Sequence, residues 1–265
     1  MIKKNINLFN GDCLEVMNML IERGVVVDAI ITDPPYGTTN CKWDSLIPLD
    51  KMWERLNKLI KPNGAIIFTA SQPFTSTLVL SNIKDFKYSL VYEKTTPTGH
   101  LNAKIMPLRC HEDILIFGKG RIVYNPQKTT GHKRKVSSAT SRAKSITRNN
   151  LKDKVYNNEI EDKVPNYDST ERYPRSVLKF STDKQKSSVH PTQKPVELMK
   201  YLIKTYTNKG EIILDFTMGS GTTGVAVEEL NRDEDYDLLF YGIELDEEYF
   251  NIAKDRIEKV KGETI

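Results

Sequence analysis

The chain lacks most of the features that would place it outside the globular proteins. No stretch approaches the roughly 18 consecutive apolar residues of a membrane helix. Its first residues, MIKKNINLFNGD, lack the apolar core of a secretory signal, so a cytoplasmic location is expected. Cysteine is scarce: Cys13, Cys41 and Cys110 are widely spaced and form no C-x-x-C pair, which argues against zinc ribbons and dithiol redox sites. Ordinary buried or half-buried thiols are expected, and no metal site. No internal repeat is present, so a solenoid is excluded. What the chain does have is 38% apolar residues over 265 positions, enough to bury a core and to exclude a disordered polymer.

Acidic residues are missing from one long stretch. Ten Lys/Arg and no Asp or Glu fall between Ile114 and Lys152. From Lys119 to Lys186, seventeen Lys/Arg face seven Asp/Glu, a net +10, which leaves the rest of the chain at −6. The overall +4 therefore hides an acidic body carrying a basic insert.

Outside that insert, short β-branched runs bounded by turn residues recur at 6–10, 27–32, 64–70, 87–93, 112–117, 211–216 and 238–244, giving seven candidate strands. Between them lie apolar stripes at helical spacing: Leu49, Met52, Trp53, Leu56, Leu59 and Ile60, then Leu198, Met199, Leu202, Ile203 and Tyr206. Asp12 and Asp246 stand where helix caps belong. The alternation predicts a doubly wound, mostly parallel seven-stranded α/β sheet. From Gly118 to about Val189 the sequence turns polar and aperiodic, as in an insertion or a small second domain.

Two constellations carry chemistry. Asp33-Pro34-Pro35-Tyr36-Gly37 follows the run VDAIIT directly, and ligands bind at the carboxyl ends of strands in open α/β sheets. Consecutive prolines stiffen the backbone and remove two amide donors, leaving a ledge rich in acceptors. An exocyclic amine on a nucleobase is a poor nucleophile, because its lone pair is delocalised into the ring. If Asp33 and the Pro34 carbonyl accept its hydrogens, the nitrogen pyramidalises and aims that lone pair at a methyl donor. Tyr36 would offer the face on which an extruded base stacks.

The second is DFTMGSGTTG, residues 215–224, read as strand, glycine turn and helix. The glycines allow close backbone approach, and the helix start offers free amides to an anion. Glu244 ends the next strand about twenty residues on, the expected place for a carboxylate that bonds ribose hydroxyls. The glycine pattern alone also suits a nicotinamide enzyme, but such an enzyme leaves the other motifs unexplained.

With these residues in place, the chain resembles the amino-group DNA methyltransferases that modify adenine N6 or cytosine N4, in the arrangement where DPPY precedes the cofactor loop. His190-Pro191-Thr192-Gln193-Lys194-Pro195 is similar to the family's HPTQKP segment. The resemblance covers roughly 1–118 and 190–265 and implies a Rossmann-like methyltransferase fold with permuted motif order. It implies S-adenosylmethionine as cofactor, contacted by Asp12, Cys13, Asp33, His190, Thr192, Lys194, Asp215, Phe216, Gly219, Ser220, Gly221, Thr222, Thr223 and Glu244, with Asp33, Pro34, Pro35 and Tyr36 catalytic. It further implies a target recognition region at 119–189 that binds double-stranded DNA. Lys133, Arg134 and Lys135, with Arg142, Lys144 and Arg148, are its candidate phosphate contacts. A homodimer and a cognate restriction endonuclease are partners the family suggests.

Asp at the first position of the tetrapeptide is commoner in the adenine group, as the family pattern implies, so adenine N6 is expected over cytosine N4. A non-catalytic nucleic-acid-binding module is disfavoured because every motif residue is present. Trp43 serves either DNA closure or packing, and the Pro97–His100 turn is placed by topology near the enclosed base. Cys110 and His111 are expected simply to pack at a strand start.

Overall fold

The computed structural model describes residues 5–37, 45–138, 167–181 and 193–262. The chain divides into two compact units, residues 1–125 with 176–265, and residues 126–175.

Strand β2 (Val27–Thr32) is buried along its whole length and anchors the larger unit. Its side chains alternate between two cores: Val27 and Ile30 join one, Ala29 and Ile31 the other. The first core takes the apolar stripes of α1 (Cys13–Glu22), α2 (Leu49–Leu59) and α3 (Phe74–Ser81). The second takes those of α4 (Val196–Tyr206), α5 (Thr222–Glu234) and α6 (Glu247–Gly262). Helices thus cover both faces, as a parallel sheet requires. The start of α1 is fixed by Asp12, whose carboxylate accepts from the amides of Leu14 at 2.8 Å and Glu15 at 3.2 Å. Asp246 caps α6 in the same way, through Glu248 and Tyr249.

The remaining strands are β1 (Ile6–Asn10), β3 (Ile60–Ala70), β4 (Phe86–Thr98), β5 (Arg109–Phe117), β6 (Lys135–Ser137), β7 (Tyr167–Ser169), β8 (Val177–Phe180), β9 (Ile212–Asp215) and β10 (Leu239–Glu244). Eight of them form one sheet in the order β1-β10-β9-β2-β3-β5-β4-β8. Pairings from β1 to β3 are parallel, β5 is antiparallel to both neighbours, and β8 runs parallel to β4. Strand order reverses between β9 and β2, so the loops after these strands diverge and open a crevice at their carboxyl ends.

The doubly wound, mostly parallel sheet expected from the sequence is present, with one correction: it has an eighth strand. β8 lies within the stretch read as insertion, where the four residues VLKF carry a brief alternation with Leu178 buried and Val177 exposed. Polar flanks hide so short a signal. Cys110 and His111 stand exposed near the start of β5 rather than packed. Among the described residues no helix is long and apolar enough to cross a membrane.

The smaller unit, which lies inside the 119–189 stretch, holds a two-stranded antiparallel ribbon of β6 and β7. Arg172 ties its backbone together by donating to the carbonyls of Lys133, Ser169 and Glu171. Arg134 forms a two-pronged pair with Asp168 across the ribbon.

Candidate active site

The crevice holds a cavity of about 630 Å³, a size suited to a cofactor. The turn after β2 forms one wall. Asp33 Oδ1 accepts from the Tyr36 hydroxyl at 2.6 Å and from the Thr69 hydroxyl at the end of β3. Phe74 stacks behind the Tyr36 ring, with centroids 5.2 Å apart, and fixes its plane. Burial, then the neighbouring Asp33 charge, push the Tyr36 phenol well above its ordinary pKa.

The loop after β9 forms the opposite wall. Asp215 is its hub: one oxygen accepts from the Thr32 hydroxyl at 2.8 Å and the Thr217 amide at 3.2 Å, the other from the Thr223 hydroxyl at 2.7 Å. The Thr32 bond joins the ends of β2 and β9 directly. Burial raises the Asp215 pKa to about 7, against the pull of these donors. Gly221 adopts a left-handed φ of +78°, and a side chain there would press on Ala253 at 2.8 Å, so glycine seats the loop on α6. Gly219, also left-handed at φ +52°, turns its amide to Glu244 Oε2 at 2.8 Å. Glu244 Oε1 accepts from the Asp246 amide at 2.9 Å. With one N–H on each oxygen, the carboxylate keeps lone pairs for hydroxyls in the cavity. Burial raises its pKa. At the amino end of the chain, burial and then Asp12 push the Cys13 thiol up to about 12, so it stays neutral.

A buried ion chain completes the floor. Lys194 Nζ lies 2.5 Å from Asp33 Oδ2 and 3.2 Å from Glu112 Oε2, while Lys94 Nζ holds Glu112 Oε1 at 2.5 Å. Burial disfavours the Lys194 ammonium, yet Asp33, Tyr36 and Glu112 more than compensate and hold its pKa well above the usual lysine value. Burial likewise opposes the Glu112 carboxylate, but Lys194 and Lys94 overcome it and keep its pKa low.

Most residues singled out in the sequence meet here. Asp12, Cys13, Asp33, Pro34, Pro35, Tyr36, Lys194, Asp215, Phe216, Gly219, Ser220, Thr222, Thr223 and Glu244 all line the cavity. Gly221 stands between the cavity-lining Ser220 and Thr222 and packs on Ala253. His190, Thr192, Arg142, Lys144 and Arg148 lie outside the described residues, as do Cys41 and Trp43. Lys133, Arg134 and Lys135 belong to the smaller unit and are exposed. Sequence reasoning missed Glu112, Lys94 and Thr69: Thr69 is a lone hydroxyl in an apolar run, while Glu112 and Lys94 stand among other polar residues and carry no local mark. Among the described residues no group of His, Cys, Asp or Glu is arranged to hold a metal ion.

Comparison with known proteins agrees with this geometry. The model of the DNA methylase family N6_N4_Mtase matches residues 27–255. The type II methyltransferase M.HpaI of Haemophilus parainfluenzae is 28% identical over 245 residues, covering 88% of this chain and 68% of that protein. M2.LlaDCHI of Lactococcus lactis subsp. cremoris, also a type II methyltransferase, is 25% identical over 97% of this chain and 91% of its own length. Among solved structures, the M1.HpyAVI–SAM complex aligns with a TM-score of 0.63 at 26% identity, covering 95% of this chain and 98% of that one. The cytosine-N4-specific PvuII DNA methyltransferase aligns at 0.60 with 16% identity, over 97% of this chain and 90% of that one, a likeness of fold.

Proposed function

Because the chain belongs to the N6_N4_Mtase DNA methylase family, and is therefore an amino-group DNA methyltransferase that draws its methyl group from S-adenosylmethionine, we propose that its target is N6 of an adenine turned out of double-stranded DNA. The observation that carries the reading is the convergence of the Asp33–Tyr36 turn and the 215–224 loop on one cavity. Two walls 182 residues apart in sequence face each other across it, as transfer between a bound donor and a bound base requires.

The residues present fit that donor. Glu244 has acceptors free for ribose hydroxyls, and the start of α5 at Thr222 presents amides to a carboxylate. Asp12, Cys13, Phe216, Gly219, Ser220 and Thr223 enclose the same space, while Asp215 acts by holding the loop in shape. Lys194 lines the same cavity, and the family resemblance assigns His190 and Thr192 of its segment to the cofactor as well. When bound, S-adenosylmethionine supplies the electrophilic methyl group.

The chain's own part is to make the amine reactive. Asp33 and the Pro34 carbonyl accept the amine hydrogens, so the nitrogen lone pair leaves conjugation and positive charge developing on it is stabilised. Tyr36 supports the base on one ring face, its other face backed by Phe74. Pro35 keeps the turn stiff. Lys133 and Lys135, with Arg142, Lys144 and Arg148 of the same recognition region, neutralise phosphates, and Arg134, whose guanidinium is held by Asp168, adds less.

Asp as first residue of the tetrapeptide supports adenine over cytosine. Mass spectrometry of nucleosides from DNA of cells expressing the chain tests this. N6-methyladenine is the expected product, N4-methylcytosine would assign the other base, and no methylated base above the host background would overturn the reading. A cytoplasmic location, a homodimer and a cognate restriction endonuclease belong to the same proposal. They are supported by the family resemblance and by the type II methyltransferases among the relatives, and are tested by fractionation, sedimentation and digestion of unmethylated DNA.

A further inference from the structure

Asp33 is too well served for its task. A carboxylate offers about four lone-pair sites, and three are occupied: Oδ1 by the Tyr36 and Thr69 hydroxyls, Oδ2 by the Lys194 ammonium. An ammonium in contact also weakens the carboxylate as an acceptor and repels the positive charge that grows on a methylated nitrogen. Drawing Lys194 aside as the base arrives would restore Oδ2 as a full-strength acceptor.

The means lies beside it. Glu112, on β5, faces the cavity, and its Oε2 is buried and pairs only loosely with Lys194 Nζ, at 3.2 Å against the 2.5 Å of the Asp33 contact. Its other oxygen is held at 2.5 Å by Lys94 on β4, so the carboxylate stays in place whichever way Lys194 turns. Side chains of Lys194, Glu112 and Lys94 are 9%, 12% and 14% exposed, so water offers Lys194 little alternative.

We propose that Glu112 is a positioning residue that gives Lys194 a second seat. As the target base enters, the ammonium passes from Asp33 Oδ2 to Glu112 Oε2, and Oδ2 becomes free to accept from the base's amine. The exchange keeps the buried ammonium beside a carboxylate, while Asp33, on giving up its cation, keeps the Tyr36 and Thr69 hydroxyls and gains the amine hydrogens. Lys194 is a latch, and Glu112 is where it rests when open. The inference rests on the reading of the site as an amino-group methyltransferase centre, with Asp33 gripping the amine.

The test follows tritiated methyl transfer from S-adenosylmethionine to a long unmethylated DNA. It compares wild-type chain, Glu112→Gln, and the double variant Glu112→Gln with Lys194→Met. Melting curves with and without S-adenosylhomocysteine confirm that each variant folds and binds cofactor. With its second seat neutral, Lys194 stays on Asp33, and Glu112→Gln should lower kcat at least tenfold with KM for DNA and cofactor within about threefold. Removing the stranded latch should then restore kcat at least fivefold over Glu112→Gln. A purely structural role predicts no such rescue. Near-normal kcat in a folded Glu112→Gln variant, a loss expressed in cofactor binding instead, or no rescue by the second substitution would each overturn the latch. A wild-type chain that transfers no methyl at all would instead overturn the functional reading beneath it.

Discussion

Replacing Asp215 by Asn should change how the protein's stability depends on pH, by an amount the structure allows one to work out. Asp215 is buried beneath the glycine loop, and its pKa stands at about 7 against an ordinary 3.8, burial being the main cause. An acid raised in this way keeps its proton in the folded protein at pH values where the unfolded chain has already released it. Its contribution to stability is therefore greatest below pH 3.8, falls as pH rises to about 7, and is level beyond. From pH 5 to 7 the loss is about 2 kcal/mol, less than the full ~1.36 kcal/mol per unit because Asp215 is half ionised at pH 7. For a chain of this length that corresponds to roughly 4–9 °C in Tm. Asn retains an oxygen for the Thr32 hydroxyl and the Thr217 amide, and its amide nitrogen meets the Thr223 hydroxyl, which can rotate to accept. The margin of the cofactor-free variant over wild type should widen from pH 5 to about pH 7 and level off towards pH 8. Melting curves by circular dichroism across that range measure the gap. Parallel profiles, or a gap that narrows as pH rises, would refute the assignment of a buried, high-pKa carboxylate at this position.

Three further outcomes are expected. Asp33→Ala should reduce methyl transfer at least a thousandfold while S-adenosylmethionine affinity, measured by calorimetry, changes far less; near-normal turnover would remove Asp33 from the chemistry. Lys133→Ala with Lys135→Ala should lower the salt slope of DNA binding by about 1.8, at roughly 0.9 per phosphate, whereas Arg134→Ala alone should lower it little because its guanidinium is engaged by Asp168. An unchanged slope in the double variant would take this cluster off the DNA. Leu202→Ala, at a fully buried position on α4, should cost about 2–5 kcal/mol in chemical denaturation with the m-value unchanged.

How far the sequence could be read depended on whether a signal was local. VDAIIT announced a buried strand because six consecutive residues agree, and all six are buried. The Leu198–Tyr206 stripe announced a helix because its spacing repeats over three turns, and each of its five residues lies in the core. DPPY and the glycine loop were legible because their chemistry is carried by neighbours in the chain, and both line the cavity. β8 escaped because four residues do not establish a period, least of all beside polar ones. Lys194 was marked by its motif, but its pairing with Glu112 and Lys94 escaped for a different reason. Nothing near Glu112 in the chain marks it, and it meets Lys94 only through the antiparallel register of β4 with β5. Its meeting with Lys194 depends on a residue that follows it in the chain by 82 positions, after the second unit. Such pairings belong to the folded topology and have no counterpart in composition or periodicity.

The hydroxyl bridge from Thr32 to Asp215 spans 183 positions in the chain, and that distance sets a timetable for the enzyme's birth. At ~5–20 residues per second, a ribosome that has finished the Asp33 turn needs roughly 10–40 s more to deliver its opposite wall. In the interval β2 has only β3 beside it, and its other flank is an unpaired edge awaiting β9. A nascent chain therefore cannot methylate anything, and a ribosome stalled before β9 leaves a sticky half-sheet instead of a weakened catalyst.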